Sequence, residues 1–162
     1  LLISKDPFRD FNFLINFFSP FEFNKQIVSE SAQIGRNCEI HSTVSIGNNV
    51  KIGPFVEIQR DAEIGNDSII SSHSFIPSGV KIGNNVFVGH GVMFTNDTFD
   101  SNLIENWQTK ETIVGDRVRI GSNSTILPVK IGNNVIIGAG SVVTKDIPDN
   151  VTVYGNPARI KS

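Results

Sequence analysis

Ile46-Gly47-Asn48-Asn49-Val50-Lys51, followed at once by Ile52-Gly53-Pro54-Phe55-Val56-Glu57, is the stretch whose reading decides the fold. Each hexad opens on a large apolar residue and carries a smaller one four positions later. Working outward, the large position recurs at Ile34, Ile40, Ile46, Ile52, Ile58, Ile64, Ile70, Ile76, Ile82, Val88 and Phe94. The small position recurs at Cys38, Val44, Val50, Val56, Ala62, Ser68, Ser74, Val80, Val86 and Val92. A helix would space its apolar residues by three and four, and a half-buried strand by two. A period of six fits neither, and predicts a short flat strand, a corner, and another strand. Three such strands close a triangular coil, so residues eighteen apart stack vertically at about 4.8 Å.

The accessory residues agree. Gly35, Gly47, Gly53, Gly65, Gly83 and Gly89 follow the large residue, where a missing Cβ permits close approach or unusual dihedrals. Asn48-Asn49, Asn84-Asn85 and Asn133-Asn134 supply corners that tolerate left-handed backbone. The phase breaks after Phe94 and returns at Val114, Ile120 and Ile126. It then slips by one residue, within Leu127-Pro128-Val129-Lys130, before Ile131, Ile137 and Val143. Residues 95–113 therefore read as an excursion from the coil, and long loops in compact domains are usually functional. Before the repeat, Asp6-Pro7 reads as a helix start, with Phe8, Phe11, Ile15 and Phe18 at helical spacing. The expected organisation is a helical capping segment, 1–30, and an all-β parallel β-helix, 31–160.

Composition narrows the function classes. With 39% hydrophobic and 19% charged residues, the 162-residue chain has the make-up of one globular domain. A net charge of -2 and scattered Lys and Arg give no nucleic-acid footprint. The Phe8–Phe18 segment is too short to span a bilayer and carries Arg9 and Asp10. Neither a nucleic-acid nor a membrane partner is expected. Cys38, the one cysteine, occupies a small inward position of the repeat and reads as a packing residue.

The pattern [Ile/Val]-Gly-x-x-[Val/Ser/Ala]-x resembles the hexapeptide-repeat acyltransferase superfamily, whose fold is a left-handed parallel β-helix. Handedness comes from that resemblance, since strand crossovers generally favour the right hand. Ile137-Gly138-Ala139-Gly140-Ser141-Val142-Val143-Thr144-Lys145-Asp146-Ile147-Pro148, with Tyr154-Gly155-Asn156-Pro157-Ala158-Arg159, looks like the superfamily's CoA-side ending. Val92-Met93-Phe94-Thr95-Asn96-Asp97, then Trp107 and Thr109, then Ile120-Gly121-Ser122-Asn123-Ser124-Thr125-Ile126-Leu127-Pro128, resembles bacterial enzymes that N-acetylate nucleotide-linked amino sugars. Where that pattern leads one to expect Pro-Arg near positions 100 and 101, this chain has Asp100-Ser101.

Acyl transfer to an amine needs an unprotonated nucleophile, a donor for the thioester oxyanion, and close juxtaposition. Histidine is the residue type suited to take the proton near neutral pH. Stacking arithmetic puts His90 over Ser72 and His73 under Gly91, whereas His41 lies on an early coil. His90 is the first candidate for base or substrate ligand and His73 the second; the leaving thiolate is a third recipient for the proton. Both histidines also read as exposed flank residues or as packing at a subunit interface. Asn96 and Asp97 open the excursion, where a carboxylate suits an ammonium, a hydroxyl or a histidine, and where Asn-Asp is also ordinary turn chemistry. Trp107 suits anchoring the loop against a neighbouring chain, or stacking on a sugar or base. The resemblance implies acetyl-CoA as co-substrate, with Gly121, Ser122, Gly138 and Ala139 along the pantetheine arm and Lys145 and Arg159 at the phosphates.

The outward sixth position holds Ile69, Phe75, Phe87 and Met93, which stack as two apolar pairs and mark an interface. The resemblance implies a homotrimer with active sites between subunits, in the cytoplasm, serving surface polysaccharide (lipopolysaccharide) biosynthesis. An O-acetyltransferase acting on a sugar hydroxyl or serine is the nearest alternative. A zinc enzyme on this fold would need converging histidines, and His41, His73 and His90 lack the spacing, so no metal is expected. A non-catalytic scaffold leaves the 95–113 excursion without a purpose.

Overall fold

The computed structural model describes residues 27–97 and 110–161. Of the capping segment expected over 1–30, residues 1–26 lie outside the described residues, as does the tip of the excursion, Trp107 included, whereas Ile27–Val28 is already a strand of the first coil. Within them the chain is an all-β solenoid, a left-handed parallel β-helix with three faces. The first face stacks Ile27–Val28, Ser45–Ile46, Glu63–Ile64, Val80–Ile82, Thr112–Val114 and Lys130–Ile131. The second stacks Gln33–Ile34, Lys51–Ile52, Ile69–Ile70, Phe87–Val88, Arg119–Ile120, Ile136–Ile137 and Thr152–Tyr154. Arg159–Ile160 then folds back antiparallel on Thr152–Tyr154, a hairpin the repeat does not announce. The third stacks Glu39–Ile40, Glu57–Ile58, Phe75–Ile76, Met93–Phe94, Thr125–Ile126 and Val142–Val143.

The register is the predicted one: Ile52 pairs with Ile70, and Ile70 with Val88. Across the excursion Val80 pairs with Thr112, so the coil resumes at Thr112, inside the expected limit of 113. The one-residue slip is present, since Ile113 pairs with Lys130. Each large hexad residue from Ile46 to Phe94 and each small one from Val44 to Val92 is buried, forming a continuous apolar core. Two small positions are serines, and both are satisfied. Ser68 Oγ donates to the Gly83 carbonyl and accepts the Val86 N–H, and Ser74 Oγ donates to the carbonyls of Ser71 and Gly89.

The corners divide the work between two residues. At most corners the residue just before the small position turns left-handed: Asn49, Asp67, Asn85, Asn123 and Asn134 all have φ near +57°. The glycines after the large residue are there for closeness, not for dihedral freedom. A Cβ on Gly65 would stand 2.6 Å from the Gly83 carbonyl carbon and oxygen in the next coil. Gly65→Ala is therefore expected to destabilise the fold by about 1–3 kcal/mol, as overpacking does, read as a lower urea midpoint. Ser71 occupies the equivalent position on another edge, so the expected damage is local displacement and not misfolding.

On the first face Lys81 Nζ lies 2.7 Å from Glu111 and 3.9 Å from Glu63. The hydrogen bond to Glu111, then the charges of Glu111 and Glu63, raise the lysine pKa. An upward shift means the bridge is complete at neutral pH and is lost as pH climbs past the raised value. Among the described residues no helix is long and apolar enough to cross a membrane.

Candidate active site

Three edges join the faces, and they differ in what they do with the backbone. The edge between the first and second faces is closed by a ladder of side chains. Asn48 N–H donates to Asn66 Oδ1, Asn66 N–H to Asn84 Oδ1, and Asn84 N–H to Asp116 Oδ1. Asp116 N–H then donates to Asn133 Oδ1, and Asn133 N–H to Asp149 Oδ1. The corner amides of that edge are thus occupied from Asn48 to Asn133.

The edge between the second and third faces has the same backbone but a different column of residues: Arg36, Pro54, Ser72, His90, Ser122 and Ala139. None offers the short carboxamide or carboxylate that caps the amide below. Among the described residues, the N–H groups of His90, Ser122 and Ala139 meet no acceptor. A row of unspent donors along an accessible edge is what a thioester carbonyl and the amides of a pantetheine arm require. The sequence carries the signal as an alternation, Asn or Asp in one column against Ser, His, Ser and Ala in the other.

His90 is exposed, and its Nδ1 lies 2.9 Å from Ser72 Oγ in the coil below. The expected stacking is therefore a hydrogen bond. In the tautomer that donates Nδ1–H to Ser72, Nε2 keeps its lone pair and serves as acceptor. His73, also exposed, stacks on Phe55 with ring centroids 5.1 Å apart. Gly121, Ser122, Gly138 and Ala139 continue this same edge through the two coils beyond His90. Gly121 has no room for a side chain, because a Cβ would collide with Ala139 N. Ser122, Ala139 and Gly140 form the part of the edge that faces outward.

Lys145 and Arg159 come together at the C-terminal end. They line a cleft of about 450 Å³, floored by Val143, Ile147, Val153, Ala158 and Ile160. Asn96 and Asp97 stand elsewhere, on the edge between the third and first faces, separated from His90 by the strand Met93–Phe94. There the Asn96 carbonyl accepts the Lys110 N–H at 2.9 Å, which closes the base of the excursion. One chain therefore unites His73, His90, Gly121, Ser122, Gly138 and Ala139 on one edge, and places Asp97 and, at the C-terminal end, Lys145 on the edge between the third and first faces. His41, bonded to Thr43, belongs to the Asp97 edge, several coils away. Among the described residues no three His, Cys, Asp or Glu side chains are grouped to hold a metal ion.

Comparison with known proteins follows the same lines. A model described as the bacterial transferase hexapeptide, six repeats long, matches residues 43–78 and 61–96. A model of the hexapeptide repeat of succinyl-transferase matches 111–145, and together the two span more than half of the chain. No curated protein matches the sequence. Among solved structures, a His-to-Ala variant of GDP-perosamine N-acetyl transferase from Caulobacter crescentus, in complex with CoA and GDP-perosamine, is 25% identical with a TM-score of 0.59. The match covers 85% of this chain and 57% of that one, so the chain spans little more than half of that enzyme. AntD, an N-acyltransferase from Bacillus cereus in complex with dTDP and 3-hydroxybutyryl-CoA, is 27% identical, with a TM-score of 0.67 over 83% of this chain and 77% of that one. A hexapeptide-repeat containing acetyltransferase from Vibrio cholerae shares the fold at 21% identity and a TM-score of 0.61, over 98% of this chain and 81% of that one.

Proposed function

Because this chain belongs to the hexapeptide-repeat transferase superfamily, we propose that it is an acetyl-CoA-dependent N-acetyltransferase acting on the amino group of a nucleotide-linked amino sugar. The observation that carries the reading is the His90 edge. A hydrogen-bonded histidine opens a run of unpaired backbone donors that climbs to the C-terminal end, where Lys145, across the strand Val142–Val143, and Arg159 border a cleft. A CoA molecule laid along it sets its phosphates against Lys145 and Arg159 and its thioester beside His90.

The neutral amine of the acceptor attacks the thioester carbonyl carbon. The C–N bond forms as the C–S bond breaks, and the His90 or Ser122 N–H receives the oxyanion in between. His90 Nε2 takes the ammonium proton and returns it to the CoA thiolate, leaving an amide and free CoA. The donors are fixed by the coil, so no reorganisation accompanies the charge. A surface polysaccharide such as lipopolysaccharide is the proposed destination of the product, and the cytoplasm, where acetyl-CoA is found, the proposed compartment.

The proposed assembly is a homotrimer with the site between subunits. Ile69, 40% exposed, and Met93, 44% exposed, stack with Phe87 and Phe75 on the two faces that flank the His90 edge. The first face, with its Lys81–Glu111 pair, suits solvent instead. A site that uses both His90 and Asp97 needs two copies, because one chain keeps them on separate edges.

The test is product analysis after incubation with acetyl-CoA and UDP-, GDP- and dTDP-linked 3-amino and 4-amino sugars, plain sugars and serine. The reading expects one amino sugar to gain a single acetyl group that resists hydroxylamine, as an amide does. A hydroxylamine-labile product would establish an ester and the O-acetyltransferase reading.

A further inference from the structure

The His90 edge changes character along its length. From His90 toward the C-terminal end it offers small residues and free N–H groups, which suits a slender pantetheine arm. Toward the N-terminal end the same columns hold Ser72-His73, Pro54-Phe55 and Arg36-Asn37. If CoA takes the first half, the acceptor approaches over the second.

Phe55 is out of place there by ordinary criteria. It is 53% exposed, adds nothing to the core that its neighbour Val56 fills, and holds a left-handed backbone at φ 58. His73, one coil above, does the same at φ 62. Besides Arg117, these are the described residues of positive φ that are neither Asn, Asp nor Gly. Phenylalanine has no side-chain polar group to ease that conformation, and strain of this kind persists mostly at functional sites. The two rings lie 25° from parallel, forming one stacked platform. The next step of the column is Gly91, which carries no side chain. A Cβ on Gly91 would stand 2.7 Å from Asn123 Oδ1, so the Asn123 amide reaches over the step above His73, in the corner that His90 shares.

We infer that this step is the acceptor subsite, in which the sugar ring packs on the Phe55–His73 platform and Arg36 receives the diphosphate. The inference rests on the proposed function and assigns two residues, Phe55 and Arg36, that neither the motifs nor the base mechanism requires. The apolar face of a pyranose complements an exposed aromatic ring, and the Asn123 amide supplies a hydrogen-bonding rim. Arg36 lies two coils below His73, about 10 Å at the spacing of paired strands. That is the direction in which a diphosphate trails from a sugar whose amine points at His90. Arg36 has no ion-pair partner among the described residues.

Calorimetric titration of the CoA-saturated protein tests this, with GDP-perosamine, a dTDP-linked 3-amino sugar, and the same sugars without nucleotide as probes. Phe55→Asn installs the residue that this corner position most often carries. It is expected to hold or raise the thermal midpoint while weakening both nucleotide-linked sugars at least about tenfold, the opposed signs expected of a strained binding residue. CoA affinity stays unchanged, and Phe55→Trp retains sugar binding. Arg36→Ala weakens the nucleotide-linked sugars and leaves the free ones alone. Equal affinity in Phe55→Asn and the unaltered protein overturns the inference, as does weaker binding that tracks dissociation of the oligomer, which would assign Phe55 to a contact between copies. Unaltered protein that binds CoA but neither sugar overturns the proposed function and the inference together, a result distinct from the other two.

Discussion

His90→Ala is expected to lower acetyl transfer by about 10²–10⁴-fold, the usual contribution of a positioned general base. The loss should fall on kcat, with the KM for acetyl-CoA and the thermal midpoint both unchanged. The reason is geometric. His90 is exposed and makes no core contact, so its removal costs the fold little. Its Nδ1 is engaged by Ser72 Oγ at 2.9 Å, which fixes the ring and leaves Nε2 directed outward for the proton. A smaller effect, tenfold or less, would mean that the amine proton passes directly to the departing thiolate and that His90 only contacts substrate. Steady-state kinetics at saturating acceptor separates these outcomes.

The second large effect is a gain of function from two inactive proteins. If Asp97 acts on the same acceptor as His90, it does so from a neighbouring copy, because Met93–Phe94 separates the two edges within one chain. His90→Ala and Asp97→Ala are each expected to be nearly inactive alone. Unfolded and refolded together, random mixing leaves about a quarter of interfaces with an intact His90 facing an intact Asp97. Activity is expected to recover toward that fraction. No recovery would place Asp97 and His90 in the same chain's site or leave Asp97 outside it.

Much of the fold is legible in the sequence. The hexad fixes which residues point inward, and Ile46 to Phe94 do so without exception. The slip in Leu127–Lys130 was visible because a solenoid has one register, and a lost residue shifts every later hit. Two features were hidden. The glycines allowed either a dihedral or a packing explanation, and the choice depends on the distance between coils, which a period does not contain. The terminal hairpin pairs Val153 with Ile160 antiparallel, outside the repeat and so outside its logic.

The candidate site was legible in part. Stacking by eighteen predicts the Ser72–His90 pair and sets His73 beside Gly91, because both follow from position alone. The free N–H row was not predicted, although its cause lies in the sequence. An amide's occupancy depends on the side chain one coil later, so it emerges when Asn66 is compared with Asn48 and Ser122 with His90. Phe55 gives no signal in the sequence, because an apolar residue in an apolar repeat is what the pattern leads one to expect. Its significance comes from exposure and a positive φ, which a hexad pattern does not record.

The central claim, that the His90 edge is the acyl-transfer strip, is tested most directly by titrating CoA into the unaltered protein and into Ala139→Trp. Ala139 is exposed on that edge, two coils beyond His90, so an indole there obstructs the strip without entering the core. The account predicts saturable binding to the unaltered protein and at least about a hundredfold weaker binding to the variant, a loss of roughly 2.7 kcal/mol, at an unchanged thermal midpoint. Equal affinity in the two proteins would contradict it and place CoA elsewhere on the helix.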